Sequence, residues 1–188
     1  MEHRSALLRR GVHFALAILC AFGLVAALPA VPAQATNYEG CSWGHPGISY
    51  VNNTSSAYQS LTSAALVNWS NQTDMSFNAG GSNPGFSITD GGFGNTGWDG
   101  ITYYSCSGGI FVKGMLVRIN GYYADAYSGQ KKRAVIGHEL GHVVGLADRN
   151  IGQCPNRSIM WGDTFGRYDV CGIFTVQADD IQGANTLY

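Results

Sequence analysis

The stretch Val135-Ile-Gly-His-Glu-Leu-Gly-His-Val-Val-Gly-Leu-Ala-Asp148 holds the residues of this chain best suited to chemistry. His138 and His142 are four positions apart, so on a helix both imidazoles leave the same face one turn apart and can reach one metal ion. Glu139 adjoins the first of them; a carboxylate there can hold a water beside that ion and act as a general base. Gly145 follows His142 by three residues and can take the left-handed conformation that ends a helix, turning the chain back on itself. Asp148 then arrives as a third ligand. Two imidazole nitrogens and one carboxylate oxygen leave a tetrahedral zinc one position for water, as in catalytic rather than structural sites. The alternative, two histidines on a solvated face, fits poorly with the apolar neighbours Val135, Ile136, Leu140, Val143, Val144 and Leu146.

The stretch resembles the extended zinc motif of the metzincin endopeptidases, H-E-x-x-H-x-x-G-x-x-H/D, with His138, Glu139, His142, Gly145 and Asp148 at its five fixed positions. Aspartate at the last position resembles the snapalysins, small secreted bacterial proteases. Met160, a short way downstream, resembles the Met-turn that packs a thioether under the ligands in this family. The ending Asp179-Asp180-Ile-Gln-Gly183 with Leu187-Tyr188 resembles that of matrixin catalytic domains. The resemblance implies an α+β metzincin-type zincin: a twisted mixed sheet on a backing helix and an active-site helix, then a small C-terminal subdomain with a Met-turn and a closing helix. It implies zinc-dependent peptide hydrolysis with His138, His142 and Asp148 as metal ligands, Glu139 as catalytic base, and a protein or peptide as substrate. No matrixin-type inhibitory cysteine motif is visible. A secreted zinc-binding module that does not catalyse is the alternative, and intact Glu139 argues against it. A carbohydrate-binding or inhibitor module would leave the zinc motif unexplained.

The remaining chain must position these groups. Arg4, Arg9 and Arg10, an apolar run over 12–28, and Pro29-Ala-Val-Pro-Ala-Gln-Ala35 read as a secretory signal peptide over 1–35. A retained membrane anchor competes, but the run is marginal against the ~20 residues a bilayer needs. The expectation is a single secreted, extracellular domain over 36–188, monomeric and off the membrane once the signal is cleaved. Without the signal the net charge is about −3, which gives no hint of nucleic-acid binding.

Cys41, Cys106, Cys154 and Cys171 remain, an even count that reads as disulfides with three pairings open. Cys154 and Cys171 bracket the segment after the zinc motif, which favours Cys154–Cys171 and Cys41–Cys106. Strands are expected over 48–51, 75–77, 86–89, 101–104 and 113–120, the last with Met115, Val117 and Ile119 alternating to one face. A helix is expected from 56 to about 68, its stripe of Tyr58, Leu61, Ala65 and Trp69 facing the sheet. In metzincins an edge strand over the zinc accepts extended substrate, and 101–104 is the candidate. The glycine-rich loop 90–100, with Asp90 and Asp99, is either an ordinary surface loop or a calcium site. Lys131-Lys-Arg133 reads as a solvated helix start, 161–169 as a pocket wall with Phe165 and Tyr168, and 175–187 as the closing helix capped by Thr175.

Overall fold

The computed structural model describes residues 36–155 and 157–188; the signal-peptide expectation lies outside them. The architecture is α+β. Strands β1 (Gly47–Asn52), β2 (Ser76–Ala79), β3 (Phe86–Gly91), β4 (Gly100–Tyr103) and β7 (Met115–Asn120) form a mixed sheet in the order β2-β1-β3-β7-β4. The first four in that order run parallel, and β4 closes one edge antiparallel to β7, with Gly100 opposite Ile119 and Tyr103 opposite Leu116. A parallel neighbour needs a crossover; helix α1 (Ser56–Gln72) supplies the one between β1 and β2. Between β4 and β7 lies a small ladder, β5 (Cys106–Ser107) with β6 (Ile110–Phe111), which the sequence patterning does not signal.

The expected alternation of β7 holds, with Met115, Val117 and Ile119 buried. On the opposite face Arg118 lies over the rings of Phe93 and Tyr103, at 5.2 and 5.4 Å. Helix α3 (Gly129–Val144) carries the zinc motif and is buried almost all round from Ala134 to Val144, as a helix must be when a sheet and a second helix cover it. The second helix is α1. Its buried residues are Tyr58, Thr62, Ala65, Leu66 and Trp69, and Leu61 is only partly buried. This stripe meets α3 rather than the sheet alone: the Trp69 indole N–H donates to the Gly137 carbonyl at 2.9 Å.

The start of α3 is closed by an adjacent cap, while its end is closed by residues far away in sequence. Ser128 caps α3, its hydroxyl accepting from Lys131 N–H. At the other end the carbonyls of Val143 and Val144, left without helical partners, accept from the Trp43 indole and the Tyr188 hydroxyl, each at 2.8 Å. The closing helix, α4 (Ala178–Leu187), begins later than expected. Its cap is Gln177, in a reciprocal box with Asp180, while Thr175 accepts from the Gln177 amide and so braces the cap. A short helix α2 (Gly121–Ala124), capped by Asn120, and a π-helical turn, Phe165–Val170, are also beyond what the periodicity implies.

The loop 90–100 is gathered around the Asn120 side chain. The buried Asn120 amide donates to the Gly94 and Trp98 carbonyls and to Thr96, and its oxygen accepts from Phe93 and Tyr122 N–H. Asp90 is taken up by the start of α1, accepting from Ser55 N–H at 2.6 Å and the Ser55 hydroxyl at 2.8 Å. The two loop carboxylates thus have different partners, Asp90 at the start of α1 and Asp99 at the Tyr127 hydroxyl.

Cys41–Cys106 and Cys154–Cys171 stand at disulfide distance, with Cα separations of 6.2 and 5.3 Å. Cys41–Cys106 spans 65 residues and ties the N-terminal segment to the start of β5. Loop-closure entropy for that span is worth about 4 kcal/mol. The double variant C41S/C106S should therefore lose several kcal/mol in denaturant unfolding, and more than C154S/C171S, whose span is 17; equal losses would remove the entropic account.

Candidate metal centre

His138 and His142 face one point from α3, as their spacing requires, and Asp148 joins them from the loop beyond. Gly145 makes that return. It has φ +111°, it ends α3 with its N–H on the Gly141 and His142 carbonyls, and a Cβ there would lie 2.8 Å from the Cys41 carbonyl oxygen. The Nε2 atoms of the two histidines are 3.2 Å apart, and Asp148 Oδ1 lies 3.2 Å from His138 Nε2 and 3.6 Å from His142 Nε2. Among the described residues this trio is the cluster of His, Cys, Asp or Glu side chains able to hold a metal ion.

The outer hydrogen bonds decide which ring nitrogens carry protons. His138 Nδ1 lies 3.0 Å from the Ile159 carbonyl, and His142 Nδ1 lies 2.9 Å from both the Leu146 carbonyl and Glu39 Oε1. A carbonyl can only accept, so each Nδ1 is the N–H, and in the neutral ring each Nε2 presents a lone pair. Two lone pairs and a carboxylate oxygen then confront one another with no proton among them, an arrangement that a cation relieves. Its dimensions suit zinc: donors at 2.0–2.1 Å on tetrahedral corners are about 3.3 Å apart. The residues present therefore fit the metal.

The protonation tendencies of the metal-free site agree. Burial, then the Arg167 charge, pushes His138 down to about 3, so it stays neutral as a ligand must. Burial also works against charge on His142, but the Glu39 hydrogen bond and the charges of Glu139 and Asp148 prevail and raise it.

Glu139 is buried beside the trio. Its Oε2 accepts from the Thr102 hydroxyl at 2.7 Å, and the same hydroxyl reaches the Glu139 carbonyl at 3.1 Å. Burial pushes this carboxyl up to about 7, against the pull of His142, Thr102 and Arg167. β4 runs across it closely enough that a Cβ on Gly100 would meet Glu139 Oε1 at 2.6 Å and Val135 Cγ1 at 2.7 Å. A glycine is needed at that crossing for lack of space.

The trio and Glu139 open into one cavity of about 650 Å³, walled by Gly100, Thr102, Tyr127, Lys131, Phe165 and Arg167 among others. Phe165 is there as expected; Tyr168 is not, its hydroxyl being engaged with Ser128 and Gln130 on α3. Lys131, read from sequence as solvated, lies in this wall, paired with Asp169 and 4.2 Å from the centre of the Tyr127 ring. Arg167 is 1% exposed and bonds Thr164 and the Trp161 carbonyl, which sets a fixed positive charge behind the site.

Met160 lies under the motif helix. A Cβ on Gly141 would fall 2.1 Å from its sulfur and 3.3 Å from Trp69, so the second glycine of the motif region is a close-packing position. The turn carrying Met160 also serves the ligands: Ile159 gives its carbonyl to His138, and the Met160 carbonyl accepts from Arg149 N–H, next to Asp148. Asp180 of α4 holds this turn through Ile159 N–H at 2.9 Å and the Ser158 hydroxyl.

Sequence reasoning missed Glu39, Thr102, Gly100, Lys131 and Arg167. Glu39 stands 103 positions from His142, and no local spacing links them.

No family model matches the sequence, and no curated protein matches it. Among solved structures the chain is similar to one titled "Structure of myroilysin", with a TM-score of 0.45 and 16% identity. The match covers 66% of this chain and 60% of that one, so this chain spans three-fifths of that structure's length.

Gly141→Ala should overpack the site by about 1–3 kcal/mol, the usual cost of an inserted methyl in a filled core. The expected result is a lower Tm and weakened metal retention together, measured by melting with and without added zinc; an unchanged melt would show that Met160 yields freely.

Proposed function

We propose that this chain is a secreted zinc-dependent endopeptidase, with 1–35 as its signal peptide and 36–188 as one metzincin-like catalytic domain. The observation that carries the reading is the facing of three lone-pair donors, His138, His142 and Asp148, into the same cavity as the buried carboxylate of Glu139. Aspartate as third ligand supports the snapalysin-like resemblance, and α4 with its Asp179-Asp180 pair the matrixin-like one.

His138, His142 and Asp148 would hold one zinc, which when bound supplies Lewis acidity and lowers the pKa of water to roughly 7. Glu139 takes the proton of the attacking water on its carboxylate and passes it to the leaving amine. Thr102 fixes that carboxylate by its hydrogen bond. β4 forms the sheet edge beside the site, and Gly100, Ile101 and Thr102 line the cavity. An extended peptide can add to this edge through backbone hydrogen bonds, which orients the scissile bond with little demand on side chains. Protein or peptide substrates follow.

Casein cleavage that a chelator stops and zinc restores is the expected result for the purified protein. Glu139→Gln should keep about one zinc per chain while turnover falls 10²- to 10⁴-fold, the usual share of a general base; near-normal cleavage by that variant removes Glu139 from the role. His138→Ala should instead lose zinc in elemental analysis.

The pH profile carries a second test. Glu139 works ionised, so kcat/KM must fall as pH drops through its pKa. The Thr102 hydroxyl favours the ionised form. Thr102→Val should therefore move the acid limb of kcat/KM to higher pH, and a shift to lower pH would contradict the assignment.

A further inference from the structure

The two histidines are held unequally. His138 gives its Nδ1–H to a neutral backbone carbonyl, that of Ile159. His142 shares its Nδ1–H between the Leu146 carbonyl and a carboxylate, Glu39 Oε1, at 2.9 Å each. Glu39 is itself held: Tyr104 donates its phenolic O–H to the other carboxylate oxygen, and Glu39 N–H bonds the Gly145 carbonyl at 2.9 Å. The side chain is only 16% exposed. Each of its carboxylate oxygens thus has a hydrogen-bond donor, His142 on Oε1 and Tyr104 on Oε2.

Its setting shows how it comes to be there. Residues 36–39 lie along the loop that brings in Asp148: Ala147 N–H donates to the Asn37 carbonyl at 3.0 Å, the Asn37 amide donates to the Asp148 carbonyl at 2.8 Å, and Tyr38 bridges Leu146. Glu39 and Tyr104 each stand two residues before a cysteine of the Cys41–Cys106 pair. That link brings together the two side chains that meet at His142.

We propose that Glu39 is a positioning residue of the metal centre: it completes a carboxylate–imidazole–metal relay at His142, fixing the ring's rotation and raising its basicity toward the ion. This rests on His138, His142 and Asp148 binding zinc, as proposed above. A buried carboxylate on the far nitrogen strengthens a ligand by withdrawing the Nδ1 proton toward itself, and losing such a partner commonly costs 10- to 100-fold in metal affinity. With three protein ligands, one of them carrying this support, affinity should be more sensitive to Glu39 than its distance in sequence suggests. The neighbouring strap adds to the same end by holding the backbone of Asp148.

The test is zinc affinity of the purified protein, by competition with a chromophoric chelator, for the wild type, Glu39→Ala, Glu39→Gln and Tyr104→Phe, with melting of each metal-free form alongside. Glu39→Ala should raise the zinc Kd about 10- to 100-fold. Glu39→Gln keeps an acceptor for Nδ1–H but lacks the charge and should fall between alanine and wild type. Tyr104→Phe leaves the carboxylate but frees one of its oxygens, and should give a smaller loss in the same direction. Metal-free Tm values should stay close to wild type, because the relay acts on the ion. A zinc Kd within twofold of wild type in the Glu39 variants overturns the proposal, as does a fall in metal-free Tm with unchanged Kd, which marks Glu39 as a plain strut. Should Glu39→Ala not fold, Glu39→Gln, of the same shape, decides. A wild type that takes up no zinc overturns this inference and the metal reading together; a wild type that binds zinc and cleaves casein beside unaffected Glu39 variants overturns this inference alone.

Discussion

The organising constraint is the facing of three electron-pair donors, two on enclosed imidazoles and one on the half-exposed Asp148. His138 Nε2, His142 Nε2 and Asp148 Oδ1 approach to 3.2–3.6 Å, and the backbone carbonyls of Ile159 and Leu146 commit the ring protons to the opposite nitrogens. Without a cation the arrangement is costly chiefly at the two imidazoles, whose enclosed lone pairs would face each other and a half-exposed carboxylate with no donor between them. Much of the surrounding structure can be understood as holding that arrangement against its own repulsion.

Each layer contributes one restraint. The sheet presents β4, whose Thr102 fixes Glu139 and whose Gly100 lets the strand pass. α1 braces α3 through Trp69, whose ring also backs the Gly141–Met160 contact. The C-terminal segment supplies the turn 158–161, and α4 locks that turn with a buried Asp180, whose carboxyl burial pushes up while the Ser158 hydroxyl and backbone N–H groups pull it down. The N-terminal segment closes the far side with Glu39 and the ladder to residues 145–148. The geometry of the trio is a property of the assembled domain, since its outer hydrogen-bond partners come from the turn 158–161, the loop after α3 and the N-terminal segment.

Charge is distributed with similar economy. Arg167 stands enclosed behind the site, its two terminal nitrogens bonded to the Trp161 carbonyl and to Thr164, and its field disfavours protonation of His138. Lys131 sits across the cavity, neutralised by Asp169. Asp90 and Asp99, the acidic residues of the glycine-rich loop, are drawn to the start of α1 and to the Tyr127 hydroxyl. Asn120, an uncharged side chain with both donors and an acceptor, gathers that loop's carbonyls in the way an ion would.

What was legible from sequence is what depends on near neighbours. The i, i+4 histidines, the glutamate beside them, the left-handed glycine three residues on and the alternation of β7 all follow from the geometry of one helix turn, one glycine and one pleat, and all are found in place. Elements whose identity rests on packing were read less well: the α1 stripe turned toward α3, the cap of α4 moved from Thr175 to Gln177, and Tyr168 turned away from the cavity. Glu39, Arg167 and the Gly100 crossing were invisible, because they depend on segments tens to a hundred positions apart meeting in space, and composition carries no record of such meetings. Local spacing determined which atoms could bind a metal; only the folded chain decided what stands behind them, which nitrogen keeps its proton, and which carboxylate leans on His142.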